Sequence, residues 1–188
     1  MRRRGIKLGM EKQLVDKQVM YDGRRVRLEI HHLESPDGTR VQKEVCIHPG
    51  AVVILPFLDA KTILLIRNRR YTIAQTLVEL PAGGLEKGEA PMNAAGRELV
   101  EETGYVAGRL VRLFDFYSSP GILSEKMYAF AAYDLEKAEQ ALEDDEEIEV
   151  LSVPFGEAIR MIGDGRIIDG KTIAILLAYE RFHARADG

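Results

Sequence analysis

The sequence predicts an α/β fold, and three observations carry the prediction. Strand-like runs alternate with helical ones along the chain. With 188 residues, 46% of them hydrophobic, it can bury one substantial core with room for a small accessory element. Between residues 83 and 105 a glycine-rich loop enters a short helix-forming stretch that stops at another glycine, the punctuation of a strand, loop and helix in succession.

The opening Met-Arg-Arg-Arg-Gly is basic, yet Ile6 to Gln18 has no apolar signal-peptide core. Residues 1–17 therefore read as a flexible N-terminus, and export is not expected. In residues 18–48, Val26, Leu28 and Ile30 alternate, Ser35-Pro36-Asp37-Gly38 supplies a turn, and Val41 to Ile47 returns. This predicts a small antiparallel β arm, with residues 49–188 as the main domain. In that domain Ala51 to Leu58 and Thr62 to Arg67 read as a hairpin of buried strands turning at Asp59-Ala60. Leu77 to Leu80 is a short strand entering the glycine loop. After the helix come strands near Arg109 to Tyr117 and Lys126 to Tyr133, a helical stretch around Leu135 to Leu142, and a strand from Glu147 to Val153. Pro154 starts a helix ending near Gly163, and Thr172 to Arg185 predicts a long amphipathic helix.

Composition excludes several classes. A formal charge of −4 argues against a general nucleic-acid binder. No run approaches the roughly 18 apolar residues of a membrane span. The single cysteine, Cys46, cannot form an internal disulfide; it fits a reducing cytoplasm and reads as a buried spectator.

Chemistry concentrates on the helix after the glycine loop. Glu98, Glu101 and Glu102, spaced i, i+3 and i+4, fall within about 100° of one another on a helix surface. A charge run of this kind is ordinarily a solvated face with Arg97 as partial counter-charge. The approach argues for more: Gly83, Gly84 and Gly88 lead in, Glu89 and Pro91 suit a first turn, and Gly104 is placed as the αL stop. Met92, Gly96, Leu99, Val100 and Thr103 project on the other side, where they can pack on a sheet. One side docks while the other, crowded with like charge, requires a cation.

Gly83, Glu89, Arg97, Glu98, Leu99, Glu101, Glu102 and Gly104 match the pattern G-x5-E-x7-R-E-U-x-E-E-x-G-U, where U is bulky and aliphatic. The chain thus resembles the Nudix hydrolases. Tyr105 departs from the final aliphatic position, a change that touches packing rather than chemistry. The resemblance extends over Gly50 to Arg181 and implies a mixed β-sheet sandwiched between α-helices, with the N-terminal antiparallel arm added. It implies divalent-metal-dependent hydrolysis of a nucleoside diphosphate linked to another group. The ions would be Mg²⁺ or Mn²⁺, two or more of them, since hard cations take oxygen ligands. Carried over by position, Glu98 and Glu102 bind metal most directly. Glu101 is a further ligand with a catalytic part, and the Ala82 carbonyl is another ligand. Arg97 orients the carboxylates and Glu89 braces the loop.

Substrate class rests on residues outside the motif. Pro120, in Ser118-Ser119-Pro120-Gly121, lies sixteen residues after Gly104. That spacing resembles the ADP-ribose pyrophosphatase branch, as do Leu80-Pro81-Ala82-Gly83 and Ser124-Glu125, although Pro-Gly is also a common turn. The resemblance makes Glu125 a candidate for the ribose hydroxyls, and Arg70, with Arg67 second, a phosphate clamp. Arg69 reads equally as surface charge, and Glu79 would help shape the nucleotide pocket. The acidic run at residues 143–147 can be a solvated loop. By analogy it brings a general base over the diphosphate, with Glu146 first and Asp144 and Glu147 as alternates. Tyr21 and Tyr71 are candidates for stacking on the base.

The expected activity is cleavage of ADP-ribose or a related nucleoside diphosphate sugar, ADP-ribose giving AMP and ribose 5-phosphate. GDP-mannose or ADP-glucose is the alternative substrate. A reading from another class, a non-catalytic ADP-ribose-sensing module, is opposed by the intact Glu98, Glu101 and Glu102. Partners are expected to be the nucleotide sugar and, by analogy, a second copy bound through the arm as a homodimer. Neither nucleic acid nor membrane is expected.

Overall fold

The computed structural model describes residues 12–24, 26–142 and 147–183. The chain divides into two compact units, Met1–His48 with Ser119–Glu125, and Pro49–Ser118 with Lys126–Gly188.

The first unit is an antiparallel meander of β1 (Gln13–Asp22), β2 (Arg27–Glu34) and β3 (Arg40–Ile47), with β2 in the middle. The expected turn joins β2 to β3, and the Gly38 N–H donates to the Ser35 carbonyl at 2.9 Å. Strand β1 takes in Gln13–Lys17, a stretch that reads from sequence as flexible. Two register shifts, between Leu14 and Asp16 and between Val19 and Tyr21, break the two-residue alternation that a strand reading relies on. The segment Ser119–Glu125 extends this unit: the Cys46 N–H donates to the Ile122 carbonyl, and the Ser124 N–H to that of Cys46.

The second unit contains two sheets and three helices. One sheet has the order β7 (Ala82–Gly84), β4 (Ala51–Pro56), β9 (Lys126–Lys137), β8 (Tyr105–Tyr117), in which only β4 and β9 run parallel. The other is antiparallel, in the order β10 (Ile148–Pro154), β5 (Thr62–Arg70), β6 (Gln75–Glu79). The helices are α1 (Pro91–Thr103), α2 (Phe155–Gly163) and α3 (Gly170–Phe182).

Strand β4 is buried on both faces, and its alternation divides the core. Val53 and Leu55 belong to one cluster with Ile63, Leu65, Leu80, Ile175 and Leu176; Val52 and Ile54 belong to another with Ala94, Ala95, Leu99 and Phe130. Helix α1 therefore covers one face of β4, while α3 contributes to the core on the other. Phe57 stacks on Tyr133 with ring centroids 5.2 Å apart and meets Tyr179 at 4.9 Å, adding aromatic contacts on the α3 side.

Three local expectations are corrected. The segments at 51–58 and 62–67 do not form a continuous hairpin: apart from the single bridge Phe57↔Ile63, β5 pairs with β10 and β6 while β4 pairs with β7 and β9. Continuous apolar strands buried on both faces give no pairing signal in sequence. The helix expected around 135–142 is absent. Strand β9 runs to Lys137, and the N–H groups of Ala138 and Ala141 donate to the carbonyls of Gly104 and Glu101, so tertiary bonding overrides a strong helix propensity. On α1 the docking face is built on Ala94, Ala95, Leu99 and Thr103, whereas Met92 is exposed. Small alanines let the helix approach the sheet closely.

Candidate active site

Helix α1 has Pro91 in its first turn and ends at Gly104, whose φ of +68° is the left-handed conformation that favours glycine; its N–H donates to the Val100 carbonyl at 2.8 Å. Strand β7 lies antiparallel on β4, with Ala82 opposite Val53 and Gly83 opposite Val52. The acidic edge of α1 meets the bare backbone of this short strand. A Cβ on Gly83 would stand 2.0 Å from the Glu98 carboxyl carbon and 2.1 Å from both its oxygens. The missing side chain is therefore what makes room for Glu98. One residue earlier, the Ala82 N–H donates to Glu102 Oε2 at 2.8 Å. Glu98 and Glu102 are 8% and 2% exposed, low values for carboxylates.

Arg97 gathers the remaining charge. Its Nε and Nη2 donate to the two oxygens of Glu89 at 3.0 Å each, its Nη1 to Glu98 at 2.7 Å and Glu101 at 2.9 Å, and Nη2 also to the Gly84 carbonyl at 3.1 Å. These bonds, to Glu89 foremost, hold the guanidinium pKa above its ordinary value against the effect of burial. The same contact holds the Glu89 carboxyl below the usual carboxylate range. Glu89 also accepts the Glu86 N–H at 2.9 Å, which closes the loop before the helix.

Glu98 and Glu101 turn onto Arg97 while Glu102 turns to the Ala82 N–H. Among the described residues, no three carboxylate, imidazole or thiol groups stand close enough together to enclose an ion. The donor set nonetheless fits a hard divalent cation. It consists of oxygen donors, four carboxylates against one guanidinium, with a glycine backbone giving Glu98 its space.

A second constellation stands at the end of β5. Arg70 donates from Nε and Nη2 to Glu79 at 2.8 and 2.7 Å, a bidentate pair on a fully buried carboxylate. Lys171 adds a second cation to Glu79 and is held by Asp169 at 2.9 Å. Burial would raise the Glu79 pKa, but Arg70 and Lys171 outweigh it and the carboxyl lies below its ordinary value. Asp169 caps α3 by accepting from the Thr172 N–H and hydroxyl, and Thr172 Oγ1 accepts the Leu80 N–H at 2.8 Å. Sequence spacing singles out neither Asp169 nor Lys171, because it starts this helix only at Thr172. The N-cap aspartate is the signal that locates the true start.

Arg67 is three residues from Arg70 on β5 and so on the opposite face, exposed and paired with Glu149 at 2.8 Å. Pro120 and Glu125 belong to the first unit, where Glu125 lies 3.5 Å from His48 and the Ser119 carbonyl accepts two N–H groups across the Pro120 turn. Tyr71 is almost wholly exposed, in a single 3₁₀ turn after β5. Glu146 and Asp144 lie outside the described residues, and Glu147 follows them with its carbonyl accepting the Arg69 N–H.

A carboxylate-rich helix seated on a glycine strand at the margin of a mixed sheet defines an acidic, oxygen-donor site. Comparison with known proteins makes this specific: residues 47–174 match the NUDIX domain. The chain is 36% identical over 165 residues to the ADP-ribose pyrophosphatase of Bacillus subtilis (strain 168), covering 87% of this chain and 89% of that protein. It is 37% identical over 169 residues to the methanol dehydrogenase activator of Bacillus methanolicus, covering 89% and 91%. With the GDP-mannose pyrophosphatase of Yersinia pestis (strain Pestoides F) it shares 36% identity over 163 residues, covering 80% and 81%. The crystal structure of an ADP compounds hydrolase superposes with a TM-score of 0.85 at 23% identity, over 97% of this chain and 99% of that one, and shows the same fold. The chain belongs to the NUDIX family of hydrolases, whose members generally require divalent metal ions. No helix among the described residues is long and apolar enough to cross a membrane.

Proposed function

We infer that the protein hydrolyses the diphosphate bond of ADP-ribose and related nucleoside diphosphate sugars, giving from ADP-ribose AMP and ribose 5-phosphate. The observation that carries this reading is the Glu98, Glu101 and Glu102 face of α1, seated on Ala82–Gly83 and ordered by Arg97. Two of the relatives are named for the hydrolysis of nucleotide sugars, one with adenine and one with guanine, so GDP-mannose is kept as the second substrate.

Glu98 and Glu102 with the Ala82 carbonyl would hold Mg²⁺ or Mn²⁺, and Glu101 would serve a further ion. When bound, the ions neutralise the diphosphate and make water a better nucleophile at phosphorus. Arg97 keeps three carboxylates in register before any cation arrives. Arg70, anchored on Glu79, offers the rest of its guanidinium to a phosphate, while Arg67 is the lesser candidate because Glu149 engages it. Glu125 and Pro120 are kept as candidates for ribose recognition on the resemblance alone. The general base comes from the acidic run, Glu146 first, with Asp144 and Glu147 as alternates. Residues 18–48 would form an arm that joins two copies, supported by exposed Val19, Met20 and Tyr21, which continue the exposed Leu14 and Val15 on the same strand β1. Cytoplasmic action accords with the single free Cys46.

The test is a panel of ADP-ribose, ADP-glucose and GDP-mannose at one concentration with Mg²⁺ or Mn²⁺, read as phosphate after phosphatase coupling. Turnover of ADP-ribose ahead of the others is expected. Binding without turnover of any of them would instead support the sensing module.

A further inference from the structure

We propose that Lys171 is a positioning residue that sets the diphosphate-facing edge of Arg70 by acting through Glu79, an inference that rests on the pyrophosphohydrolase reading above. Arg70 uses Nε and Nη2 on the two Glu79 oxygens, and its Nη1 makes no hydrogen bond among the described residues. The side chain is 36% exposed, so the inner edge of the fork is occupied and the outer edge has donors to give. What holds that edge outward is the immobility of Glu79. Its carboxylate is fully buried and gripped from two sides, by Arg70 and by Lys171.

Lys171 is fixed in turn. It sits in the first turn of α3 beside the N-cap Asp169, at 2.9 Å, and the next residue, Thr172, binds the Leu80 N–H, so the turn that carries the ammonium is tied to the residue after Glu79. Charge gives the second reason. Arg70 and Lys171 face Glu79 and Asp169, and Glu102 adds a further negative charge in the field of Arg70. Without Lys171 that excess of negative charge grows by one beside the fork that must receive a dianionic diphosphate. Loss of the lysine should therefore weaken substrate binding without altering the chemistry at the carboxylate face.

A double-mutant cycle of Lys171→Met and Glu79→Gln tests this, with kcat and KM for ADP-ribose, affinity for its α,β-methylene analogue, and melting temperature measured for each variant. Lys171→Met is expected to raise KM and the analogue Kd about tenfold with kcat within about threefold, the pattern of lost uniform binding. Lys171→Arg should restore most of the affinity. The double variant should be no worse than the poorer single one, because both act through one carboxylate. Additive losses, a wild-type KM for Lys171→Met, or a loss confined to melting temperature would overturn the role. Should Lys171→Met fail to fold, Lys171→Gln runs the same cycle with a neutral hydrogen-bonding side chain. A wild-type protein inert toward every nucleotide sugar would sink the functional reading itself, whereas an active wild type with an additive cycle sinks only the positioning role.

Discussion

Replacing Gly83 by alanine should disable the site while sparing the fold. The new Cβ would lie 2.0 Å from the carboxyl carbon of Glu98, and ordinary contact begins at 3.4 Å, so the carboxylate must retreat by about 1.4 Å, the difference of the two. Gly83 does not adopt a positive φ, so alanine fits the backbone, and the clash falls on the far end of a flexible side chain. The retreat would loosen the 2.7 Å bond to Arg97 Nη1 and displace a carboxylate proposed as a metal ligand. A displacement near 1 Å commonly costs about a hundredfold in rate, equivalent to about 2.7 kcal/mol of transition-state stabilisation. The assay is kcat/KM for ADP-ribose across a Mg²⁺ titration, with urea unfolding in parallel. Gly84→Ala is the control, because a Cβ there meets nothing within 4 Å. Gly83→Ala within threefold of wild type, or equal losses at both glycines, would refute the cradle.

Arg97→Met removes the cation shared by Glu89, Glu98 and Glu101; kcat/KM and the urea midpoint should fall, and added Mg²⁺ should recover more stability in the variant than in wild type. Equal Mg²⁺ responses would show that these carboxylates do not share a cation site. Thr172→Val strips the acceptor from the buried Leu80 N–H, a loss of about 1–3 kcal/mol read from urea unfolding; Thr172→Ser should recover most of it. Glu79 has a depressed pKa in the fold, so its stabilising share is complete above the ordinary carboxylate value of 4.5 and disappears as pH falls through the lower folded value. Glu79→Gln should therefore lose less stability than wild type between neutral pH and pH about 3; parallel curves would mean that Glu79 does not titrate with unfolding.

The elements legible in sequence were those whose signals are local. Gly104 ends α1 because an αL stop is written in one residue, and the Glu98, Glu101 and Glu102 face follows from helical spacing alone. What the spacing could not convey is burial. Glu98 and Glu102 lie deep because Ala94 and Ala95 bring the helix close to the sheet, a packing fact that depends on Val52, Ile54 and Phe130 from distant strands. The failed helix at 135–142 has the same origin: carbonyls at the end of α1 capture the N–H groups of Ala138 and Ala141, which no local propensity encodes. Arg70 and Glu79 were legible as charged residues near strand ends, but their pairing needed the β5 and β6 register, and Lys171 needed the chain to return about ninety residues later. A carboxylate 0% exposed demands counter-charge from wherever the fold can supply it. The α3 cap meets that demand with a cation far away in sequence, and for this reason the Arg70 arrangement depends on residues outside the family signature.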